Sequence, residues 1–84
     1  MKPVEIYTTQ TCADCIAAKR LWAKKGVPFK EIDVGGQPQL RATMTQRAGG
    51  RTSVPQIFIG GQHVGGCDDV HALDHAGKLD PMLA

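Results

Sequence analysis

The sequence predicts an α/β fold of order β-α-β-α-β-β-α, with residues 1–84 forming one domain built on a small mixed four-stranded sheet flanked by helices. Three observations lead there. Short apolar runs at Val4–Thr8, Phe29–Val34 and Gln56–Ile59 are separated by two stretches of helical pattern. Helical crossovers of this kind imply parallel strands. The pair Gly60-Gly61 after Gln56–Ile59 is suited to a tight hairpin, which adds an antiparallel strand.

Each element has a local cause. Val4-Glu5-Ile6-Tyr7-Thr8 alternates with the period of a strand. Thr11 is suited to N-cap a helix from Cys12 to Lys25. With Asp14 three places on, it also fits a capping box, the Asp14 carboxylate reaching back to the Thr11 N–H. In that helix Cys15, Ala18, Leu21 and Trp22 share one face, and Lys19, Lys24 and Lys25 lie largely off it. Gly26 ends it and Pro28 forbids its continuation. Gly35-Gly36 breaks the second strand. A second helix starts near Pro38, carries Leu40 and Met44 inward and stops at Ala48-Gly49-Gly50. Gln62-His63-Val64 is the return strand of the hairpin. Gly65-Gly66 leads into a last helix from Cys67 to Ala76, with Val70 and Leu73 toward the core.

Composition narrows the function. The net charge is +2, and the ten Lys and Arg residues are spread along the chain. That pattern argues against a nucleic-acid surface. No apolar run approaches the ~20 residues of a membrane helix, and Met1-Lys2-Pro3-Val4-Glu5 has no signal-peptide core. The expectation is a soluble, cytoplasmic protein with no nucleic-acid or membrane partner. Three cysteines, Cys12, Cys15 and Cys67, are an odd count that does not suit a secreted disulfide scaffold. In a reducing compartment a Cys-x-x-Cys pair is more often catalytic or metal-binding than structural.

The dithiol carries the chemistry. Cys12-Ala13-Asp14-Cys15 opens a helix directly after a strand, the thioredoxin-like redox arrangement. A helix N-terminus presents unpaired N–H groups and a partial positive charge, and both favour thiolate over thiol on Cys12. Cys15, one turn on, is placed to attack a mixed disulfide formed by Cys12. It falls on the inward face and is expected to be the less exposed of the two. Asp14 opposes the thiolate. At ~7 Å in water the repulsion is ~0.6 kcal/mol, under half a pKa unit, and the helix start outweighs it. The same pair is also half of a zinc ligand set. The remaining ligands would have to come from Cys67, His71 and His75, which share a helix face, but a surface stripe meets that spacing by chance, and we assign no metal site. Trp22 and Tyr7 are expected to pack, and the histidines to have no chemistry.

Val4-Glu5-Ile6-Tyr7-Thr8, Cys12-x-x-Cys15, Ser53-Val54-Pro55-Gln56-Ile57-Phe58-Ile59 and Gly65-Gly66-Cys67-Asp68-Asp69, in that order, resemble the bacterial glutaredoxins, in particular the glutaredoxin 3 subgroup. The resemblance runs nearly end to end and includes Leu79-Asp80-Pro81. It implies a thioredoxin-like fold and a glutathione-linked oxidoreductase reducing protein disulfides or glutathione mixed disulfides, with glutathione as co-substrate. Cys12 would be the nucleophile and Cys15 the resolving thiol. Pro55 resembles the family's cis-proline, which would turn the Val54 backbone toward Cys12 to pair with the cysteinyl part of glutathione. Free N–H groups at Gly66, Cys67, Asp68 and Asp69 would hold the γ-glutamyl carboxylate, and Asp68 or Asp69 would accept from its ammonium. Cys67 is a small residue at the cap with no catalytic role assigned.

The chain departs from the family at the active site. The usual Cys-Pro-Tyr-Cys is Cys-Ala-Asp-Cys here, and the usual preceding lysine is Thr9. Arg41 or Arg51 would have to replace that lysine at glutathione's glycyl carboxylate. Thr11 and Asp14 are therefore treated as tuning residues. The expectation is weaker glutathione affinity and a higher Cys12 pKa than in a typical dithiol member. Two alternatives stay open. Without the proline, family members sometimes hold a [2Fe–2S] cluster between two subunits through Cys12 and two glutathiones, acting as scaffold or carrier. The other is an electron donor fed by thioredoxin reductase. The expected state is a monomer, with a dimer only around a cluster.

Overall fold

The computed structural model describes residues 1–84. The strands are β1 (Val4–Thr8), β2 (Lys30–Asp33), β3 (Gln56–Ile59) and β4 (Gln62–Gly65), and the helices are α1 (Ala13–Lys25), α2 (Pro38–Arg47), α3 (Cys67–His75) and α4 (Leu79–Leu83). The strands form one mixed sheet in the order β2-β1-β3-β4. β1 and β2 run parallel, with Tyr7 opposite Ile32. β3 is antiparallel to β1, with Ile6 opposite Ile57, and β4 is antiparallel to β3. The expected parallel relation thus holds for the first crossover only. After α2 the loop from Ala48 to Pro55 carries the chain to the far side of β1, and β3 enters the sheet reversed.

Strand alternation sorts side chains into two cores. Val4 and Ile6 of β1 and Ile57 and Ile59 of β3 point to one face, where they meet Ala18, Leu21 and Trp22 of α1, Val70 of α3 and Leu79 and Leu83 of α4. Tyr7 and Phe58 point to the other and meet Val34, Met44 and Ala48. Because both faces are covered, all of β3 is buried, which is why Gln56-Ile57-Phe58-Ile59 is so nearly continuous in apolar character. Trp22 is fully buried, and its indole N–H has no partner. Arg47 ties α2 to the second face. It pairs with Glu5 at 3.1 Å, donates to the Tyr7 hydroxyl at 2.8 Å and lies 4.1 Å from the Phe58 ring centre.

Two expectations fail here. Leu40 is not inward: it is 41% exposed, and Met44 is the one buried residue of α2. The chain also does not end its regular structure with α3. Leu79–Leu83 forms a further short helix, and the Lys2 N–H donates to the Leu83 carbonyl at 2.8 Å. Pro81 is tolerated because it sits in the first turn, where its missing N–H has no helical partner to lose. Burying Leu79 there stabilises the fold by roughly 1.5–3 kcal/mol. No helix is long and apolar enough to cross a membrane.

Candidate active site

β1 ends at Thr8 and α1 begins at Ala13, so Cys12 stands at the head of the helix facing the loop before β3. Cys12 and Cys15 are joined in a disulfide, with their Cα atoms 5.2 Å apart. Cys15 is 1% exposed, whereas Cys12 is half-buried. The sulfur of Cys12 is thus on the more accessible of the two residues, as the inward face of α1 requires.

The helix cap differs from the sequence expectation. Cys12, not Thr11, is the N-cap residue, and its Sγ accepts from the Cys15 N–H at 3.0 Å. Thr11 lies outside the helix, and the expected box in which Asp14 reaches back to Thr11 does not form. The physical reason is the position of the sulfur. Held at the β-to-α turn, it occupies the place a capping oxygen would take and satisfies that amide itself. The contact matters chemically, since an N–H donated to sulfur favours the thiolate. On its other side Cys12 Sγ lies 3.6 Å from the Val54 carbonyl oxygen, which would accept the S–H of a reduced, protonated Cys12.

The Val54–Pro55 bond is cis. The loop is braced from below by Gln56, a fully buried polar side chain. Its Nε2 donates to the Ser53 carbonyl at 3.0 Å, and its Oε1 lies 2.7 Å from Nε2 of His63 on β4. His63 is held below the ordinary histidine value, mainly by burial and then by the charge of Arg51. Sequence reasoning gave Gln56 no role. The available signal was one amide in an otherwise apolar strand.

A cleft of about 180 Å3 runs from this loop to the start of α3, lined by Asp14, Ser53, Val54, Pro55, Gly66, Cys67, Asp68, Asp69 and Arg51. Gly66 is the N-cap of α3, and Asp69 returns to the Gly66 N–H at 2.8 Å. Arg51 Nη1 holds the same carboxylate oxygen at 3.1 Å. These contacts, the Gly66 N–H foremost, keep the Asp69 carboxyl below the usual carboxylate range. Asp69 is therefore engaged, and Asp68 is the unpaired acid of the two. The first-turn N–H groups of Cys67, Asp68 and Asp69 make no hydrogen bond within the chain. Glycine is required just before: at Gly65, φ is +124° and a Cβ would lie 2.7 Å from the Asp69 carboxyl carbon.

Cys67 is buried at the first position of α3. Burial pushes its thiol up, and the charges of Asp14 and Asp68 add to the shift. His71 Nδ1 lies 2.8 Å from the Cys67 carbonyl and 3.3 Å from its Sγ. Of the residues considered for the missing lysine, Arg51 is paired in the cleft, whereas Arg41 on α2 donates to the Thr52 carbonyl at 2.9 Å.

A half-buried sulfur at a helix head, its buried partner one turn on and a cis-proline loop across from it define a thiol–disulfide oxidoreductase of thioredoxin-like fold. The glutaredoxin family pattern matches residues 4–64, and the chain belongs to that family. It is 58% identical over 84 residues to a glutaredoxin of Pseudomonas aeruginosa, covering 100% of this chain and 99% of that one. It is 54% identical over 83 residues to glutaredoxin 3 of Escherichia coli, covering 99% of each. A crystal structure of a buckwheat glutaredoxin–glutathione complex superposes with a TM-score of 0.89 at 33% identity, over 98% of this chain and 76% of that one.

Proposed function

We propose that this oxidoreductase is glutathione-linked and works through Cys12 and Cys15. The Cys12 thiolate attacks a disulfide sulfur of a protein disulfide or glutathione mixed disulfide, and one thiolate leaves. Cys15 then attacks Cys12 Sγ, the second thiol leaves, and the intramolecular disulfide remains. Two glutathione thiols reduce it, yielding glutathione disulfide. The observation that carries this reading is the half-buried Cys12 sulfur 3.6 Å from the Val54 carbonyl, at the edge of a cleft that ends in the open amides of α3.

The cysteinyl and γ-glutamyl parts of the tripeptide lie along that cleft, and the glycyl end leaves it. Its cysteinyl backbone pairs with Val54 beside Pro55 in the manner of an added strand. Its γ-glutamyl carboxylate meets the amides of Cys67, Asp68 and Asp69. Asp68 receives the ammonium, because Asp69 is held by Gly66 and Arg51. The glycyl carboxylate falls to Arg41, whose only hydrogen-bond partner is neutral. The family relationship and the glutathione bound in the buckwheat relative support the assignment.

A [2Fe–2S] cluster would need two subunits, each supplying Cys12, with two glutathiones completing the ligand set, since within one chain no three His, Cys, Asp or Glu side chains come together. Turnover of a glutathione mixed disulfide, coupled to glutathione reductase and NADPH, tests the proposal. Activity is expected with glutathione and is expected to survive Cys15→Ser, since a second glutathione can resolve the Cys12 adduct. Turnover with thioredoxin reductase alone, and none with glutathione, would overturn it.

A further inference from the structure

The cleft beside Cys12 is unbalanced in charge. Three carboxylates, Asp14, Asp68 and Asp69, line it against one guanidinium, Arg51. Arg51 is already matched to Asp69. Asp14 and Asp68 enter none of the molecule's ion pairs. They come from the first turns of two different helices, α1 and α3, and both fields converge on the Cys67 thiol in the cleft wall. Arg41 offers no compensation within the cleft, since it lines a separate hollow on α2.

A disulfide attacked by Cys12 must place its flanking groups over this wall. We propose that Asp14, with Asp68 beside it, makes the enzyme selective for disulfides that carry cationic groups next to the scissile bond, such as a cystine flanked by lysine or arginine in a protein substrate. Charge complementarity is the warrant. A cation ~7 Å from one carboxylate in water gains about threefold in encounter with the site, and an anion loses as much. The amides of the two helix starts act in the opposite sense, but they are backbone and stay in place when a side chain changes. Replacing Asp14 therefore isolates the carboxylate. The inference rests on Cys12 being the attacking sulfur and does not need glutathione to be the physiological reductant.

The test is a single turnover of the pre-reduced protein with three small disulfides: cystamine, cationic at neutral pH; hydroxyethyl disulfide, uncharged; and glutathione disulfide, anionic. Each turnover releases two thiols and leaves the Cys12–Cys15 disulfide, so electrons balance without a further reductant. The ratio of the cystamine to the glutathione disulfide rate constant cancels any change in the thiolate fraction of Cys12. At low ionic strength Asp14→Asn is expected to lower that ratio about ninefold. The difference should shrink at high salt, where screening shortens the reach of each charge. A ratio unchanged in Asp14→Asn overturns the selectivity while leaving the dithiol chemistry intact. Failure of the wild-type protein to react with any of the three overturns the Cys12 reading and this inference together.

Discussion

Two helix starts face each other across the cleft, and they dispose of their free amides in opposite ways. At α1 a sulfur itself is the cap: Cys12 Sγ takes the Cys15 N–H, and neither Thr11 nor Asp14 contributes. At α3 a side chain reaches backward: Asp69 takes the Gly66 N–H ahead of the helix, and the amides of Cys67, Asp68 and Asp69 are left open. The same electrostatic resource, a row of N–H groups at a helix head, is turned on a sulfur in one place and left open in the other. The deciding feature is which atom sits at the cap.

Five changes break or sharpen this contrast. Cys12→Ser removes the sulfur that α1 activates and should reduce disulfide turnover by about three orders of magnitude or more, measured with either protein or small disulfides. Cys15→Ser should not share that loss with glutathione mixed disulfides. At the other start, Gly65→Ala puts a Cβ against the Asp69 carboxylate at a backbone angle that side chains avoid. It should destabilise the fold by about 1–3 kcal/mol in urea unfolding and weaken glutathione binding as well.

Asp69→Ala deletes the α3 cap without the backbone strain and should cost about 1 kcal/mol. It also has a pH signature. The folded Asp69 carboxyl is depressed below its unfolded value, so its contribution is full above the unfolded value and is lost as pH falls through the folded one. The wild-type and variant stability curves should therefore converge in acid, below about pH 4. Parallel curves down to pH 2 would show that Asp69 is not the cap. The smallest effect is expected at Thr11→Ala, under about 0.3 kcal/mol, because this threonine lies outside the helix. A loss near 1 kcal/mol, the usual value of a capping threonine, would restore it to that role.

The features legible from sequence were those governed by neighbours along the chain. The burial of Cys15, Ala18, Leu21 and Trp22 followed from helical period, and β3 with its hairpin followed from an apolar run and a Gly-Gly pair. The cis bond before Pro55 followed from the family resemblance rather than from the residues alone. Leu40 failed because its period matched Met44 while the sheet face beneath α2 was already filled by Tyr7, Phe58 and Val34. α4 was missed because five residues with an internal proline carry almost no periodic signal. Arg51 and His63 gave no local sign of bracing the cleft, because their partners lie 18 and 7 positions away and meet them only through the sheet and its loops.

The residues by themselves determined the kinds of element, the faces most of them bury and the placement of a dithiol at the first turn of the first helix, since all of these depend on spacing over a few positions. Tertiary structure alone decided which atom caps each helix, that β3 runs against β1, and which of two adjacent aspartates stays unpaired. Those outcomes are competitions among several donors and acceptors within about 3 Å of one another, and only the packed chain sets which of them arrive.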